Sequence, residues 1–462
     1  MLTDVLSMLA PQNRRLFKLN ILTQTANDEF LLEHFSGTEE LSKLYEFDLA
    51  LLSQQSDVKL KSLIGSQATI EIELSNGSFR YINGYVQRFS TQGSVGGYVR
   101  YAAVLGPWLW MLTCRFDTRI FQEKSVQAVV SEVFAGFGTL AKYEFRVSKS
   151  LKSHSYITQY RESDFNFVQR LLESEGLFYY FEHTADSHLM VITDDSSTLL
   201  PLPEQPQIRY HSASVTETAD SITQWQSTRQ LQSGQIAVRT FDYRQPRNFL
   251  PVTMQSLNQQ GDVDRFEIYD FPGQYTHGSY EDGEAIVRNR IEALELMGKT
   301  FYGESNCRAM KPGYTFELIQ HYLHDTGDAE NRKFLLLSVE HRGSNNYMTG
   351  DQAGYVNRFV CVRKKIAYRP QLNTRKPLIN GPQTAIVVGP PGEEIFTDEL
   401  GRVKLQFHWD RQGQFNDHSS CWVRVAQSGA SGGFGSIQIP RVGDEVVVVF
   451  LDGNPDRPLI MG

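Results

Sequence analysis

The chain has 462 residues and a mass of 52.7 kDa, more than one hydrophobic core usually serves, so we expect several domains. Hydrophobic residues make up 40% of the sequence and aromatic residues 12%, a composition that supports packed cores and excludes a disordered chain. The formal net charge of -8 disfavours non-specific attraction of the whole surface to nucleic acid or to an anionic membrane.

The first residues and the cysteines bear on the compartment. Asp4 interrupts the apolar start of the chain and no basic residue precedes it, so a cleaved signal peptide is not expected. The apolar residues among the first nine positions instead fit one face of a helix. The cysteines lack the paired spacing of a zinc ribbon or a disulfide framework, which predicts buried thiols in a reducing compartment. They are Cys114, Cys307, Cys361 and Cys421.

The earliest clear elements are a hairpin and three helices. Residues from Thr69 to Phe89 alternate between apolar and polar around Asn76-Gly77, which predicts a hairpin. Apolar residues recur at helical spacing after capping residues in three later segments. The predicted helices span residues 125–134, 163–175 and 281–297.

Proline and charge mark the boundaries between domains. Three prolines between Leu199 and Ile208 exclude a helix and indicate a crossover or a domain boundary. A stretch rich in basic residues follows later, with proline at its exit, and we predict that the last domain begins near Gln383. The basic side chains of this stretch are Arg358, Arg363, Lys364, Lys365, Arg369, Arg375 and Lys376.

Five short strands are predicted in the last 80 residues, which suits a small barrel of the OB type. They span residues 385–388, 402–409, 421–426, 436–439 and 445–451. In the second strand an apolar face, predicted to be core, is formed by Val403, Leu405, Phe407 and Trp409. Its polar face is formed by Arg402, Lys404, Gln406 and His408. From residue 381 onward the sequence has six basic and ten acidic side chains. An acidic barrel without a platform of rings on its polar face is a poor binder of single-stranded nucleic acid.

One motif suggests a hydrolase. The string Gly429-Ala430-Ser431-Gly432-Gly433 has the GxSxG spacing of a nucleophile elbow. Glycines and a predicted strand follow instead of a helix, and no histidine follows His418, so we predict a flexible loop and no catalytic residues.

Two groups of residues could be metal ligands, but neither has the spacing that makes such a motif specific. One contains His321, His324 and Asp325, and the other contains His183, His188 and Asp194. We favour hydrogen-bonded histidines and predict no metal and no cofactor.

Several long strings resemble the VgrG family, the spike proteins of type VI secretion systems, which are similar to the hub and spike of contractile phage tails. The strings, which occur in the family's order, span residues 162–183, 269–275, 398–410, 421–427 and 440–462. The resemblance implies a mainly β, multidomain chain with a hub-like base and a C-terminal five-stranded OB-type barrel. The implied bounds of the base are 1–375, with a barrel at about 15–115, an α+β insertion at about 116–200, and a second barrel with a helix at about 201–370; the OB-type barrel spans 376–462.

The resemblance also implies a function and a set of partners. The expected assembly is a homotrimer that docks on a hexameric tube of the Hcp type, contacts baseplate proteins, and helps to puncture a target membrane and deliver effectors. The barrel would lead into a β-helix needle, which carries tip or effector proteins and which is absent because the sequence stops at Gly462. We expect assembly in the cytoplasm and then secretion or injection without a signal peptide. The family provides no catalytic residues for this region.

Three basic residues within the matched strings are candidate contacts between chains or with the tube: Arg402, Lys404 and Arg441. Roles in strands and turns explain these three equally well. The alternatives to a spike are a hydrolase, on the GxSxG string, and a nucleic-acid-binding OB protein, on the barrel fold and the basic stretch.

Overall fold

The computed structural model describes residues 15–22, 30–211, 219–257, 266–325, 328–347 and 353–462. The predicted helical face within the first nine positions lies outside these residues. Where the structure describes the chain, no helix is both long and apolar enough to cross a lipid bilayer.

The first part of the chain forms antiparallel strands. Its elements are β1 Phe17–Ile21, β2 Leu31–Glu40, β3 Glu46–Ser53, α1 Leu60–Leu63, β4 Gln67–Glu73, β5 Phe79–Val95 and β6 Tyr98–Gly106. The predicted hairpin is confirmed as β4 and β5, in which Ile70 pairs with Ile82. Gly77 in its turn has φ +80°, a conformation that glycine adopts without steric cost.

The second part mixes helices and strands. Its elements are β7 Phe116–Ser125, α2 Val126–Ala135, β8 Tyr143–Arg146, β9 Ser153–Ser163, α3 Asp164–Glu175, β10 Phe178–His183 and β11 His188–Thr193. Both predicted helices are confirmed to within a residue. The Ser125 and Ser163 hydroxyls accept hydrogen bonds from amides of the first turn of α2 and α3, and Gly176, at φ +69°, ends α3 in a left-handed conformation.

The third part returns to strands around one long helix. Its elements are β12 Gln207–Arg209, β13 Ile222–Arg229, β14 Gln235–Val238, β15 Val252–Gln255, β16 Glu267–Asp270, α4 Tyr280–Gly298, β17 Lys299–Ser305, β18 Thr315–Ile319, β19 Lys333–Ser344 and β20 Gly354–Arg363. The third predicted helix is therefore confirmed, and Ser279 caps its start. Val287 and Ile291 of α4 are buried against the small sheet of β14, β15 and β16.

The last part forms the small barrel. Its strands are β21 Gln383–Val388, β22 Lys404–Phe407, β23 Arg424–Val425, β24 Ala430–Ser431, β25 Phe434–Gly435, β26 Glu445–Phe450 and β27 Pro458–Ile460. Five of them join in the order β22-β21-β26-β27-β23. The predicted strand at 436–439 is wrong: those residues are not paired in a sheet, and β27 supplies the fifth strand. The strand β27 has only three residues, with Pro455 shortly before it and Pro458 as its first residue, so it showed no strand pattern in the sequence.

The apolar face predicted for the second barrel strand is confirmed, because Val403, Leu405 and Phe407 are fully buried. The polar face is wrong at one position. Gln406 is also buried, and its side-chain amide donates to the carbonyl oxygens of Phe407 and Asp410. The alternating pattern predicted Gln406 in solvent, but a loop that folds back over the strand provides hydrogen-bond partners for its buried side chain.

One continuous sheet runs through both predicted barrels of the base. Its main path is β1-β4-β5-β6-β3-β2-β19-β20-β17-β13, and β12 and β18 attach beside β19. The two halves meet where β2 pairs with β19, from Ser338 opposite Glu40 to Ser344 opposite His34. The mainly β, multidomain fold class is confirmed; the residue numbers at which the domains were divided stay a prediction.

The four cysteines are free thiols, and the prediction that all are buried is wrong for one of them. Cys307 and Cys361 are buried and Cys421 is partly buried, but Cys114 is exposed. Cys114 ends the 3₁₀ turn Trp108–Cys114, whose apolar residues Trp108, Leu109 and Leu112 point inward. Helical spacing therefore directs Cys114 outward.

A buried carboxylate lies where the two halves of the base meet the insertion. Glu39 of β2 forms an ion pair with Arg80 of β5, and its Oε2 lies 2.8 Å from Nε2 of His341 on β19. Nε2 of His183, at the end of β10, is 3.6 Å from Oε1. Burial alone would raise the pKa of Glu39, but the Arg80 charge and the two histidines outweigh it, and the pKa lies well below its usual value. The carboxylate is therefore charged, and its partners come from three other strands, β5, β10 and β19.

Removing this carboxylate should destabilise the base strongly. Replacing Glu39 with Ala leaves the Arg80 guanidinium buried without its counter-charge, so we expect the free energy of unfolding to fall by about 3–5 kcal/mol. The matched control is Glu40→Ala, the next residue of the same strand, whose ion pair with Lys43 is exposed and should contribute less than about 1 kcal/mol. Urea unfolding followed by far-ultraviolet circular dichroism measures both, and equal losses would contradict the role of Glu39.

Candidate functional site at the junction of base and barrel

The core of the barrel is completed by a residue of the base. Tyr160 of β9 is buried among the barrel's apolar side chains, and its ring meets that of Trp409 edge-on with centroids 5.7 Å apart. The Gln383 side chain joins the two, because its amide donates to the Tyr160 hydroxyl at 2.9 Å and its Oε1 accepts from the Trp409 indole at 2.9 Å. Base and barrel therefore share a core.

A second contact at this junction is built on Asp456, in the loop before β27. Its Oδ1 accepts a hydrogen bond of 2.7 Å from the Thr158 amide of β9, and its Oδ2 pairs with the Lys376 ammonium. Burial would raise the pKa of Asp456, but the charges of Lys376 and Arg170 outweigh it and the pKa is lowered. The carboxylate thus ties β9, the linker and the end of the barrel together.

A further part of the barrel rests on the loops before α4. Arg457 donates to the carbonyl oxygens of Gln274 and Tyr275, at 2.9 and 3.1 Å. The guanidinium of Arg424 lies over the Tyr243 ring, 4.4 Å from its centroid. Desolvation, the largest effect on its hydroxyl, raises the pKa of Tyr275 to about 12. The barrel is held between two separate segments of the base.

Of the three basic residues predicted as contacts, Arg402 and Lys404 line one cavity and Arg441 does not. Arg402 forms an ion pair with Asp398 and donates to the Tyr243 hydroxyl at 2.8 Å, so it contacts the base of its own chain. Lys404 donates to the Ser420 carbonyl at 2.8 Å and lies over the Trp422 ring. Arg441 pairs with Glu394 at an exposed position. A role of these residues between chains stays a prediction.

Sequence reasoning missed Tyr160, Asp456 and Arg457, which carry the junction. Asp456 and Arg457 lie within the matched string at 440–462, but their partners are 298 and 183 residues away along the chain. No local pattern reports such a contact. The signal in the sequence was the acidic and basic pair placed between two prolines in a loop.

The basic stretch before the barrel is used within the chain. Arg358 pairs with Glu304 on the neighbouring strand at 2.7 Å, Arg369 pairs with Glu292 of α4 at 2.8 Å, and Lys376 belongs to the junction. The sequence left both a structural role and nucleic-acid binding open for this stretch. These ion pairs favour the structural role.

The serine of the GxSxG string lies in an exposed hairpin. Ser431 ends β24, two turn residues follow, and β25 begins directly after them, so the strand-to-helix elbow of a hydrolase is not formed. Every residue from 428 to 438 is exposed, and we call this segment the arm. A hydrogen bond of 2.9 Å from the Ser436 amide to the Gly429 carbonyl closes it. Phe434 and Ile437 of the arm are 77% and 81% exposed.

The histidines considered as metal ligands have structural roles. His321 is buried against Tyr210, with ring centroids 4.7 Å apart, and desolvation lowers the pKa of the neighbouring His324 to about 4. His188 accepts a hydrogen bond from the Trp108 amide at 2.9 Å, while Asp194 accepts from two amides of a turn. Within the described ranges no three His, Cys, Asp or Glu side chains are arranged to hold a metal ion.

Comparison with known families defines the class of protein. Residues 38–347 match the family "Phage tail baseplate hub (GPD)", and residues 395–462 match the "Type VI secretion system/phage-baseplate injector OB domain". The chain thus consists of a phage hub-like base followed by an OB-fold domain, in agreement with the sheets and the barrel of the structure.

Proteins with similar sequences identify the family within this class. The chain is 37% identical over 436 residues to the type VI secretion system spike protein VgrG1b of Pseudomonas aeruginosa, a match covering 93% of this chain and 58% of that one. It is 32% identical to the actin cross-linking toxin VgrG1 of Vibrio cholerae, covering 94% of this chain and 40% of the toxin. The chain belongs to the VgrG family of type VI secretion spike proteins, and it spans little more than half the length of the first of these relatives.

A solved structure shares the fold. The E. coli c3393 protein, described as a component of the type VI secretion system with structural similarity to the T4 bacteriophage tail proteins gp27 and gp5, superposes with a TM-score of 0.66. The match covers 96% of this chain and 99% of that one at 19% identity.

Loss of the Asp456 carboxylate should loosen the barrel from the base. In Asp456→Ala the Thr158 amide loses its acceptor, and we expect a cost of about 1–3 kcal/mol together with faster trypsin cleavage after Arg375 in the linker. Glu445→Ala, at an exposed position of β26, is the control. Limited proteolysis followed by mass spectrometry measures the rate, and an unchanged rate in Asp456→Ala would refute the role of this contact.

Proposed function

We propose that the chain acts as the structural spike at the tip of a type VI secretion machine and has no catalytic role of its own. The observation that carries the proposal is the packing of a hub-like base and an OB barrel around one shared core, through Tyr160 and Asp456. A part that transmits force needs its domains fixed to one another, and both contacts join segments that are distant in sequence. The match to spike proteins over most of the chain supports the same conclusion.

We further propose that three copies assemble into a homotrimer and that the arm contributes to the contact between copies. The arm holds a defined hairpin without burying its two large apolar side chains, Phe434 and Ile437. Exposed apolar groups on an ordered projection are typical of surfaces that become buried on association. Closed symmetric trimers bury the same patch on each copy, and one arm per copy meets this requirement.

We also propose that the trimer docks on a hexameric tube of the Hcp type, which the same symmetry would allow. Each base has two halves that meet where β2 pairs with β19, so three copies would present six halves to a ring of six subunits. We propose baseplate proteins and the tube as partners on this side. Tip or effector proteins are proposed partners beyond the barrel, and delivery through a punctured target membrane is the proposed outcome.

The alternatives have weaker support. A hydrolase would need a base near Ser431, whereas that serine lies in the exposed arm. A single-strand binder would need a basic groove beside its stacking rings, whereas the chain from residue 381 onward has six basic and ten acidic side chains, and Phe407 and Trp409 stack on each other with centroids 4.9 Å apart, in contact with the barrel core.

Light scattering behind a sizing column tests the trimer and the arm together. We expect the wild-type chain to have a mass of about 158 kDa, three times its 52.7 kDa, and Phe434→Ser combined with Ile437→Ser to shift the mass toward a single chain. Phe415→Ser, which removes an exposed apolar ring outside the arm, should leave the trimer intact. A wild-type monomer would refute the trimer, and a trimeric arm variant would refute the role of the arm.

A further inference from the structure

A large cavity lies between the barrel and the base, beside the junction contacts. Its volume is about 970 Å³, within the range of pockets that hold drug-sized ligands. It is lined by the barrel around Arg402, Lys404, Arg424 and Arg457, by the loops at Tyr243 and Tyr275, and by β7 and β9 around Glu123 and His154. Three separate segments of the chain thus form its walls.

The cavity contains more positive charge than its own acids neutralise. Arg402 is paired with Asp398. Lys404, Arg424 and Arg457 have no carboxylate oxygen within 4.0 Å anywhere in the described ranges. Their hydrogen bonds go to backbone carbonyls and to one glutamine amide oxygen, which leaves donors unused.

Two acids line the cavity, and neither forms an ion pair with Lys404, Arg424 or Arg457. Asp456 is engaged by Lys376 and by the Thr158 amide, and Glu123 is exposed at the edge. Desolvation and the nearby Arg402 lower the pKa of Lys404, although Cys421, Asp417 and Glu123 act in the opposite direction. The site therefore favours an incoming anion.

The rings of Tyr243, Tyr275 and Trp422 in the cavity hold cations and do not form a stacking platform. Arg424 lies over Tyr243 and Tyr275 at 4.4 and 5.7 Å from the ring centroids. Lys404 lies 5.0 Å from the centroid of Trp422, and Phe396 packs on the same indole. Because each ring has a neighbour, a nucleobase would have to displace charged groups in order to stack. Carboxylates fit this arrangement, since they take hydrogen bonds from cations already placed by the rings.

We propose that this cavity binds an acidic peptide segment of a partner protein, whose carboxylates pair with Lys404, Arg424 and Arg457. The volume favours a peptide over a single small anion, because one phosphate would leave most of the cavity filled with water. The site faces both the barrel and the base, so a bound segment would bridge them at the junction. The proposal does not depend on the trimer or on docking to a tube.

Binding of a dye-labelled hexaglutamate peptide to the full chain at low salt, followed by fluorescence anisotropy, tests the proposal. We expect saturable binding that Lys404→Gln and Arg424→Gln each weaken by about tenfold or more, since each removes a charge that the peptide neutralises. Arg288→Gln, on an exposed turn of α4, is the control and should bind like the wild type. Thermal unfolding of each variant checks that the fold is kept.

A gain in affinity provides a second readout that misfolding cannot imitate. Glu123→Gln removes an acid from the edge of the cavity, so hexaglutamate should bind more tightly by a few fold. Tripolyphosphate is the competing probe. The proposal is overturned if the wild type does not bind hexaglutamate, if Arg288→Gln weakens binding as much as Arg424→Gln does, or if tripolyphosphate binds more tightly than the peptide.

Discussion

The charge of Glu39 is the constraint on which the base depends. A carboxylate removed from water costs several kcal/mol unless it is paired and hydrogen-bonded, and the partners of Glu39 come from β5, β19 and the end of β10. Arg80 in turn donates to the carbonyl oxygens of Arg308 and Met310. The charge is therefore stable only when both halves of the sheet and the insertion are in place, which fixes their relative positions more specifically than apolar contact does.

The same arrangement is repeated, on a smaller scale, between base and barrel. Asp456 depends on the Thr158 amide and on Lys376, just as Glu39 depends on distant strands. Tyr160 adds the apolar part of the contact by completing the barrel core. The β9 strand, which carries both Thr158 and Tyr160, is thus the mechanical link through which the barrel is held by the insertion, and the insertion by the Glu39 cluster through His183.

The sequence predicted local structure well because the residues that begin or end a helix or a hairpin are adjacent to it in the chain. Ser125, Ser163 and Gly176 sit at the helix ends that they cap, and Asn76-Gly77 forms its turn. The prediction failed where a distant segment decides the outcome. The alternation of apolar and polar residues predicted Gln406 in solvent, but a loop that folds back over the strand buries it. The strand β27 is too short to show such an alternation. The junction could not be predicted, since the partner of Asp456 lies 298 residues away along the chain. Only the resemblance to the VgrG family drew attention to the segment that contains Asp456.

Electron microscopy tests most directly the proposal that base and barrel form one spike that caps a six-fold tube. Purified protein would be mixed with preassembled hexameric tubes of the same secretion system and imaged in negative stain. The expected result is extra density with threefold symmetry at one end of the tubes. Tubes with bare ends, at protein concentrations at which the chain is folded and trimeric, would contradict it.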